Sequence, residues 1–388
     1  MKKLFTILIV FFPILSIYVT FIPNLSIADL LLSIIVFPLI IGSIRNKINI
    51  RKSHWPIYLF FFYILLTLLI QILNSTGVGI FSTIRYLIYI LTIPLCFHFF
   101  DFRLGIKVIN KVTNLVSIYV IVQFVAFLFF SIILPWKIPG LPLVDPKFAE
   151  AGDQFFFMFY RPTGVFLEPT HFAQYAVVSL SFYFTQNIYF SGKIHKVLLP
   201  TLGILASASS LGFFALIILY GFWVWKKNII KFNFAKLIML ISIFLTVLIY
   251  ISQIDYFRHI IERVFGGEGE SFGAAFGYRF NSVEYFLNTK LSVLDWLIGK
   301  GRSSEEVYFT GLFYFLNANG IIGVLIYILL MIIMIKYSKQ MGKALLILAF
   351  LLSTGSEFVA NFGILFYLAF ALSEIKSINY SNEIIYVK

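Results

Sequence analysis

The chain has 388 residues, of which 60% are hydrophobic and only 12% are charged, and its mean hydropathy is +0.95. Soluble domains carry about 25% charged residues, so this composition excludes a soluble protein and indicates an integral membrane protein. The formal net charge is +13, but the basic residues are dispersed among short segments between apolar runs. Anionic lipid accounts for that distribution, and we expect no nucleic-acid partner.

Twelve apolar stretches are predicted to cross the membrane, which makes the expected fold an all-α polytopic protein with a single membrane domain over residues 1–388. Most stretches approach the ~20 residues that cross ~30 Å of hydrocarbon. The first run is longer than the apolar region of a signal peptide, so we expect an uncleaved span. The predicted spans lie near 4–22, 25–44, 55–73, 80–100, 112–134, 170–190, 197–208, 209–225, 236–252, 307–335, 342–355 and 357–372.

The distribution of charge between the spans predicts their orientation. With the N-terminus in the cytoplasm, the inner segments hold 20 of the 30 basic residues, against Asp101, Glu374 and Glu383 among the 17 acidic ones. Basic residues concentrate in cytoplasmic loops of membrane proteins. Both termini are therefore predicted to be cytoplasmic, and any chemistry is predicted to occur on the outer face.

Two segments predicted on that outer face are too long to be simple connections. They are residues 135–169 and 253–306, and loops longer than about 15 residues are usually functional or disordered. Both carry aromatic residues at helical spacing, which argues against disorder. In the second loop, the run IDYFRHIIERVF predicts an interfacial amphipathic helix, and the glycine-rich run after it predicts a hinge or lid.

The run RPTGVFLEPTHFAQY, at residues 161–175, is the most informative short segment. Pro169 suits the first position of a helix, so a span is predicted to begin at Glu168 or Pro169. Glu168 and His171 then lie one turn apart, with Arg161 on the strap leading in. A helix N-terminus favours a neutral imidazole, which can act as a base. The alternative is that Glu168 only caps the helix and His171 only packs at the interface.

Ionisable residues inside spans are the third element of the predicted site. Asp29, Arg85 and Glu357 all fall near the outer face, and a charge in hydrocarbon costs ~2.5 kcal/mol or more, which makes it a functional hypothesis by default. They could line one cavity with Arg161, Glu168, His171 and Arg279. Alternatively, Arg85 and Glu357 form a structural ion pair or reach to the interface.

Other polar residues have simpler explanations. Arg258, Arg263, Lys300 and Arg302 are expected to contact headgroups or solvent. Ser207, Ser209 and Ser210 could donate to a substrate, but small residues at close helix packing explain them equally well. Cys96 is the single cysteine and excludes an intrachain disulfide. The sequence contains no Walker loop, zinc spacing, dinucleotide fingerprint or nucleophile elbow.

Several arginines at an outer membrane surface suit an anionic substrate that is anchored in the bilayer. Guanidinium groups bind phosphate oxygens bidentately and stay charged when desolvated. A lipid diphosphate fits, because its tail would lie among apolar spans. If the diphosphate leaves, arginines would stabilise the developing charge without a metal or other cofactor, and a carboxylate or histidine would deprotonate an acceptor hydroxyl.

Four segments together resemble the Wzy-type O-antigen and capsular polysaccharide polymerases, within the superfamily that also contains the O-antigen ligases. They are RPTGVFLEPTHFAQY, ASASSLGFFAL, FGYRFNSVEYFL followed by LDWLIGKG, and NANGIIGVLIYILL. The resemblance covers most of the chain in the order of its spans and its two large outer loops. The combination of the Arg-Pro-x-Gly to Glu-Pro run with a later loop arginine is its most specific part.

The resemblance implies a metal-independent, inverting glycosyltransferase of the bacterial plasma membrane. Its substrate would be an undecaprenyl-diphosphate-linked oligosaccharide, and the growing glycan would pass to the non-reducing end of a new lipid-linked repeat. Arg161 and Arg279, with Arg85 as a weaker match, would bind the diphosphate. Glu168 or His171 would be the base, and Asp29 and Glu357 would line the cavity. A chain-length regulator and a flippase are the implied protein partners.

Three other functions remain open. A ligase or related cell-wall polymerase differs in its acceptor, but ligases are usually described with a catalytic histidine in the later loop, where this chain has only His259. A transporter or flippase is expected to have internal repeats with broken spans in matching halves, which the sequence does not show. An acyltransferase is expected to use an intramembrane histidine reached from the cytoplasm.

Overall fold

A computed structural model describes residues 1–22, 25–45, 54–73, 79–143, 160–185, 195–226, 258, 284, 286–288, 291–301, 311–356 and 362–377. These residues are mostly helical, and apart from two isolated β-bridges the described ranges contain no strand. The helices are α1 (Lys2–Leu15), α2 (Ile27–Arg45), α3 (Trp55–Leu73), α4 (Ile80–Phe99), α5 (Phe102–Phe130), α6 (Pro169–Thr185), α7 (His195–Ala206), α8 (Ser210–Lys226), α9 (Val293–Ile298), α10 (Gly311–Tyr337), α11 (Gln340–Leu352) and α12 (Gly363–Ser377).

Four of these helices are long and apolar enough to cross a bilayer: α2, α4, α5 and α10. Five shorter apolar stretches occur in α3, α7, α8, α11 and α12. Large apolar side chains also remain exposed on the outside of the bundle, including Phe37 on α2 and Phe62 on α3. An apolar exterior and apolar helices of this length are typical of a membrane-embedded protein.

Most predicted spans coincide with a helix to within a few residues, but the first, fifth and twelfth differ by more, and the last helix ends at Ser377 rather than near 372. The first helix ends at Leu15 rather than near 22, because Tyr18 and Val19 leave the helix to form β-bridges with Leu143 and Ser26. The fifth helix begins at Phe102 rather than near 112, because the Asp101 side chain accepts a hydrogen bond from Leu104 N and caps it. The predicted span 236–252 lies outside the described residues.

The core contains aromatic side chains that meet at tilted or edge-to-face angles. Phe60 of α3 contacts Tyr86 of α4, and also Phe315 and Tyr327 of α10, with ring centroids about 6 Å apart in each case. Phe100 packs on Phe370 of α12. These contacts place α3, α4, α10 and α12 side by side around one core.

One end of the bundle is defined by the turn after α1, the segment after α5 and the strap before α6. Val19 N donates to Pro142 O over 2.9 Å, and Ile138 N donates to the Tyr18 hydroxyl over 2.9 Å. Gln123 near the end of α5 contacts both Pro135 and Gly164. The starts of α2 and α6 therefore lie at the same end, as antiparallel packing of successive helices requires. We call this the strap end.

The opposite end is closed by two polar contacts. Asp101 N donates to the Thr6 hydroxyl over 2.8 Å, which joins the start of α5 to α1. The Glu374 carboxylate of α12 is 3% exposed and accepts hydrogen bonds from Met341 N and Gly342 N at the start of α11, over 3.3 and 2.7 Å. A carboxylate at this position satisfies amide donors that the helix leaves unpaired.

Helix α10 is interrupted at Gly320, where φ is 65°. Three of the carbonyl groups around the break have partners from elsewhere in the chain. Lys300 N donates to Asn317 O over 2.8 Å, Gly301 N donates to Ala318 O over 3.1 Å, and the Tyr63 hydroxyl donates to Asn319 O over 2.5 Å. The predicted continuous span 307–335 is therefore wrong at this point, because the segment after α9 inserts its backbone against the helix.

Candidate functional site

The strap that leads into α6 is fixed to α5 by a buried amide. The Gln123 side chain is fully buried, accepts from Gly164 N over 2.9 Å and donates to Gly164 O over 3.3 Å. Gly164 has φ of 67°, and a Cβ there would lie 2.5 Å from the Val116 side chain. Only glycine fits this conformation without strain. The strap is therefore a fixed element, and half-buried Arg161 stands three residues before the anchored glycine.

Helix α6 begins at Pro169, as the sequence predicts. Glu168 occupies the preceding position, and its carbonyl accepts from His171 N and Phe172 N over 3.1 and 3.3 Å. The Glu168 side chain is exposed, and His171 is partly buried, with its ring edge-on to Phe362 at 6.3 Å between centroids. The alternative that His171 packs at the interface is thus compatible with the geometry, while Glu168 is exposed.

Two of the predicted site residues are in direct contact. Arg85 Nε of α4 lies 3.1 Å from Asp29 Oδ2 of α2, and the two side chains are 32% and 5% exposed. The contact is an ion pair rather than an aligned hydrogen bond. The sequence suggested Glu357 as an ion-pair partner for Arg85. In the structure, Arg85 pairs with Asp29. Glu357, Arg279 and His259 lie outside the described residues.

Asp29 has further partners that occupy both of its carboxylate oxygens. The Ser26 hydroxyl donates to Oδ2 over 2.7 Å, while Asp29 N donates back to the Ser26 hydroxyl over 3.1 Å. The Tyr89 hydroxyl donates to Oδ1 over 2.5 Å. Burial of a carboxylate is unfavourable unless it is paired and hydrogen-bonded. Asp29 meets both conditions, which makes it a fixed negative charge.

Tyr89 was not singled out from the sequence, although a signal was available. It lies four residues after Arg85, so both side chains project from the same face of α4. A tyrosine one turn from an intramembrane arginine can reach the same acidic partner. Among 22 tyrosines in an apolar chain, however, this spacing alone does not identify the residue.

A row of aromatic rings connects the ion pair to the start of α6. Tyr89 meets Phe12 of α1 edge-on at 5.5 Å, Phe12 lies 5.8 Å from Phe362, and Phe362 contacts His171. Asp29, Arg85 and His171 therefore border one continuous wall at the strap end. These rings separate His171 from the ion pair, and the prediction that both line one cavity with Arg161, Glu168, Arg279 and Glu357 stays a prediction.

The serine turn between α7 and α8 has an architectural explanation. The Ser207 hydroxyl donates to Ile204 O, and the Ser209 hydroxyl accepts from Gly212 N over 3.1 Å. A Cβ on Gly212 would lie 2.8 Å from Ala173 of α6. Small residues are required here because α6 and α8 approach closely, and these hydroxyls already serve the turn.

Chemically, the strap end combines cationic and carboxylate groups with apolar walls. Guanidinium groups can bind phosphate oxygens, and an exposed carboxylate or an imidazole can accept a proton. Within the part of the chain that the structure describes, no three histidine, cysteine, aspartate or glutamate side chains converge as metal ligands.

Comparison with protein-family models and with curated protein sequences gives no match to this chain.

Proposed function

We propose that this chain polymerises lipid-linked oligosaccharide repeat units of an O-antigen or capsule at the outer face of a bacterial plasma membrane. The observation that carries the proposal is the Arg85–Asp29 ion pair at the strap end. A partly exposed arginine held by a buried carboxylate among apolar helices suits a phosphate group whose lipid tail lies in the bilayer.

The distribution of basic residues supports an outward position for that end. Lys2, Lys339 and Lys343 belong to the opposite end, together with the contacts of Thr6 with Asp101 and of Glu374 with Gly342. If those lysines face the cytoplasm, the strap end faces outward, where lipid-linked repeats are presented.

The proposed reaction joins a hydroxyl of one repeat to the anomeric carbon of the glycan on a second carrier. The acceptor oxygen forms the new glycosidic bond as the bond from the anomeric carbon to the diphosphate oxygen breaks, with inversion. The acceptor proton passes to Glu168 or His171, and undecaprenyl diphosphate leaves with its charge stabilised by Arg85, Arg161 and Arg279. Groups aimed at charge that develops in the transition state are the most effective catalysts.

The test is a gel of surface polysaccharide from cells that lack this chain, with analysis of their lipid-linked intermediates. A polymerase is supported if the surface glycan is capped by a single repeat, or if single repeats accumulate on the carrier. Long chains stranded on the carrier would instead identify a ligase. A normal ladder of chain lengths would overturn both assignments.

One observation favours a second candidate, a flippase of the same lipid-linked oligosaccharide. Interrupted helices form the binding sites of many transporters, and α10 is interrupted at Gly320. Here, however, the carbonyls at the break are occupied by Lys300 N, Gly301 N and the Tyr63 hydroxyl. A flippase would leave single repeats on the inner leaflet when it is deleted, whereas a polymerase would leave them on the outer leaflet.

A further inference from the structure

The two residues of the ion pair at the strap end differ in how far they are exposed. Asp29 is 5% exposed, whereas the Arg85 side chain is 32% exposed although its Nε atom is buried. The accessible part of Arg85 therefore lies away from its contact with Asp29. Asp29 is buried inside the bundle, and part of the Arg85 side chain is exposed.

Asp29 is not arranged to act as a base. A base needs an oxygen that can approach the proton it removes, but Tyr89 donates to Oδ1, and Ser26 donates to Oδ2 beside Arg85. These donors also stop the carboxylate from rotating. Its remaining role is to supply a negative charge at a fixed position beside the guanidinium.

Tyr89 completes this arrangement from the same helix as Arg85. Its ring is 5% exposed and is held edge-on against Phe12 of α1, with centroids 5.5 Å apart. Its hydroxyl therefore meets Oδ1 from a fixed direction, so that Oδ2 is the oxygen that faces Arg85. The guanidinium group is planar and carries five N–H donors, of which Nε is the one beside Asp29. The fixed carboxylate therefore sets the position of the guanidinium charge.

We propose that Asp29 and Tyr89 are positioning residues that hold Arg85 as a binding group for the phosphates of a polyprenyl diphosphate. The inference rests on the proposed function for the identity of the ligand. It adds that phosphate binding at Arg85 depends on a tyrosine hydroxyl that does not itself touch the substrate. Guanidinium groups bind phosphate oxygens, and a cation whose position is set before the ligand arrives loses less freedom on binding than a loosely held one.

The test uses the full-length protein in lipid nanodiscs and measures the affinity for undecaprenyl diphosphate. Arg85→Ala is expected to weaken binding at least tenfold, and Tyr89→Phe three- to tenfold with a modest fall in melting temperature, because the buried carboxylate loses one donor. Asp29→Asn should weaken binding to a similar extent as Tyr89→Phe. Inorganic diphosphate is the second probe, and it should bind far more weakly than the lipid if the anchored headgroup is the ligand. Equal affinity for both probes would overturn the assignment to a polyprenyl lipid.

Tyr367→Phe is the matched control, because that tyrosine is equally buried and its hydroxyl donates to a backbone carbonyl, Gln174 O, over 2.8 Å. It should bind undecaprenyl diphosphate like the wild type. If Tyr89→Phe also binds like the wild type while Arg85→Ala does not, the positioning role is wrong. If Arg85→Ala binds normally, the entire inference is wrong.

These outcomes are separate from the fate of the proposed function. Normal polysaccharide in cells without the chain, together with lipid binding that depends on Arg85 and Tyr89, would reject the polymerase and retain the anion site. Loss of polymer in those cells, with lipid binding indifferent to both residues, would retain the polymerase and reject the positioning role.

Discussion

Two polar features interrupt the apolar bundle, and they are held in opposite ways. The ion pair of Asp29 and Arg85 is held by side chains, with Ser26 and Tyr89 as its partners. The break in α10 is held mainly by backbone groups, through the amides of Lys300 and Gly301 and the carbonyls of Asn317 and Ala318.

The first feature depends on specific side chains, whereas the second depends on backbone groups. Backbone groups can form this junction whatever the side chains are, provided that no side chain obstructs the contact. Where the two segments approach most closely, only glycine meets that condition. A Cβ on Gly299 would lie 2.4 Å from Ala318 O, and one on Gly320 would lie 2.3 Å from Leu297 O. A charged pair among apolar helices needs specific side chains instead, and such a pair is a functional-site hypothesis by default.

The largest loss of stability is expected at the backbone junction. Gly320→Ala combines a backbone conformation that is essentially restricted to glycine (φ 65°, ψ −177°), at a cost of about 1–3 kcal/mol, with overpacking that costs about 1–3 kcal/mol. We expect strongly reduced membrane abundance and melting temperature. Gly42→Ala on α2 is the matched control, because no atom lies within 4 Å of a Cβ there. Equal abundance of the two variants would contradict the junction.

The ion pair should give a smaller loss of stability and a complete loss of activity. Arg85→Ala leaves the buried Asp29 carboxylate without its countercharge, which we expect to cost about 2–3 kcal/mol, less than a fully buried pair because Arg85 is partly exposed. Adding Asp29→Asn to Arg85→Ala removes the second charge. That double variant should regain most of the melting temperature but make no polymer. Polymer at the wild-type level would make the pair purely structural.

The strap combines the two kinds of contact, because the side chain of Gln123 forms hydrogen bonds with the backbone of Gly164. Gln123→Leu leaves the amide and carbonyl of Gly164 without their buried partner, at a cost of about 1–3 kcal/mol, and should reduce polymer length by displacing Arg161. Tyr119→Phe is the control, since Tyr119 donates only to Pro135 O among its described hydrogen bonds. Similar polymer from both variants would show that the strap need not be fixed.

The smallest effect on stability is expected at the start of α6. Glu168 is exposed, so Glu168→Gln should change the free energy of unfolding by no more than about 0.5 kcal/mol. Turnover should fall about 100-fold if its carboxylate is the base, while undecaprenyl diphosphate still binds. His171→Ala should affect turnover less. The reverse order of the two variants would assign the base to His171 and leave Glu168 as a helix cap.

Hydrophobic pattern and helix signals were sufficient to predict much of the fold. Trp55–Leu73 and Ile80–Phe99 match predicted spans almost to the residue, and Pro169 begins α6 as its position indicates. The break at Gly320 was not predicted, although Asn319-Gly320 is a dipeptide typical of turns, because the flanking run is apolar and the segment that closes the break comes from elsewhere in the chain.

The sequence indicates which types of residue form the candidate site, but not which of them contact one another. Asp29 and Arg85 are conspicuous as charges within apolar runs, yet their contact depends on how α2 packs against α4. Tyr89 and Gln123 are ordinary residues of their helices until the structure places their partners, Asp29 and Gly164, beside them. Long-range pairing of this kind has no periodic signal in a single sequence.

The most direct test of the central claim is complementation of cells that lack this chain with the wild-type protein or the Arg85→Ala variant at matched membrane abundance, followed by a gel of surface polysaccharide. The account predicts a full ladder from the wild type and a single repeat from the variant. A full ladder from Arg85→Ala would contradict the claim that this arginine binds the diphosphate of the substrate.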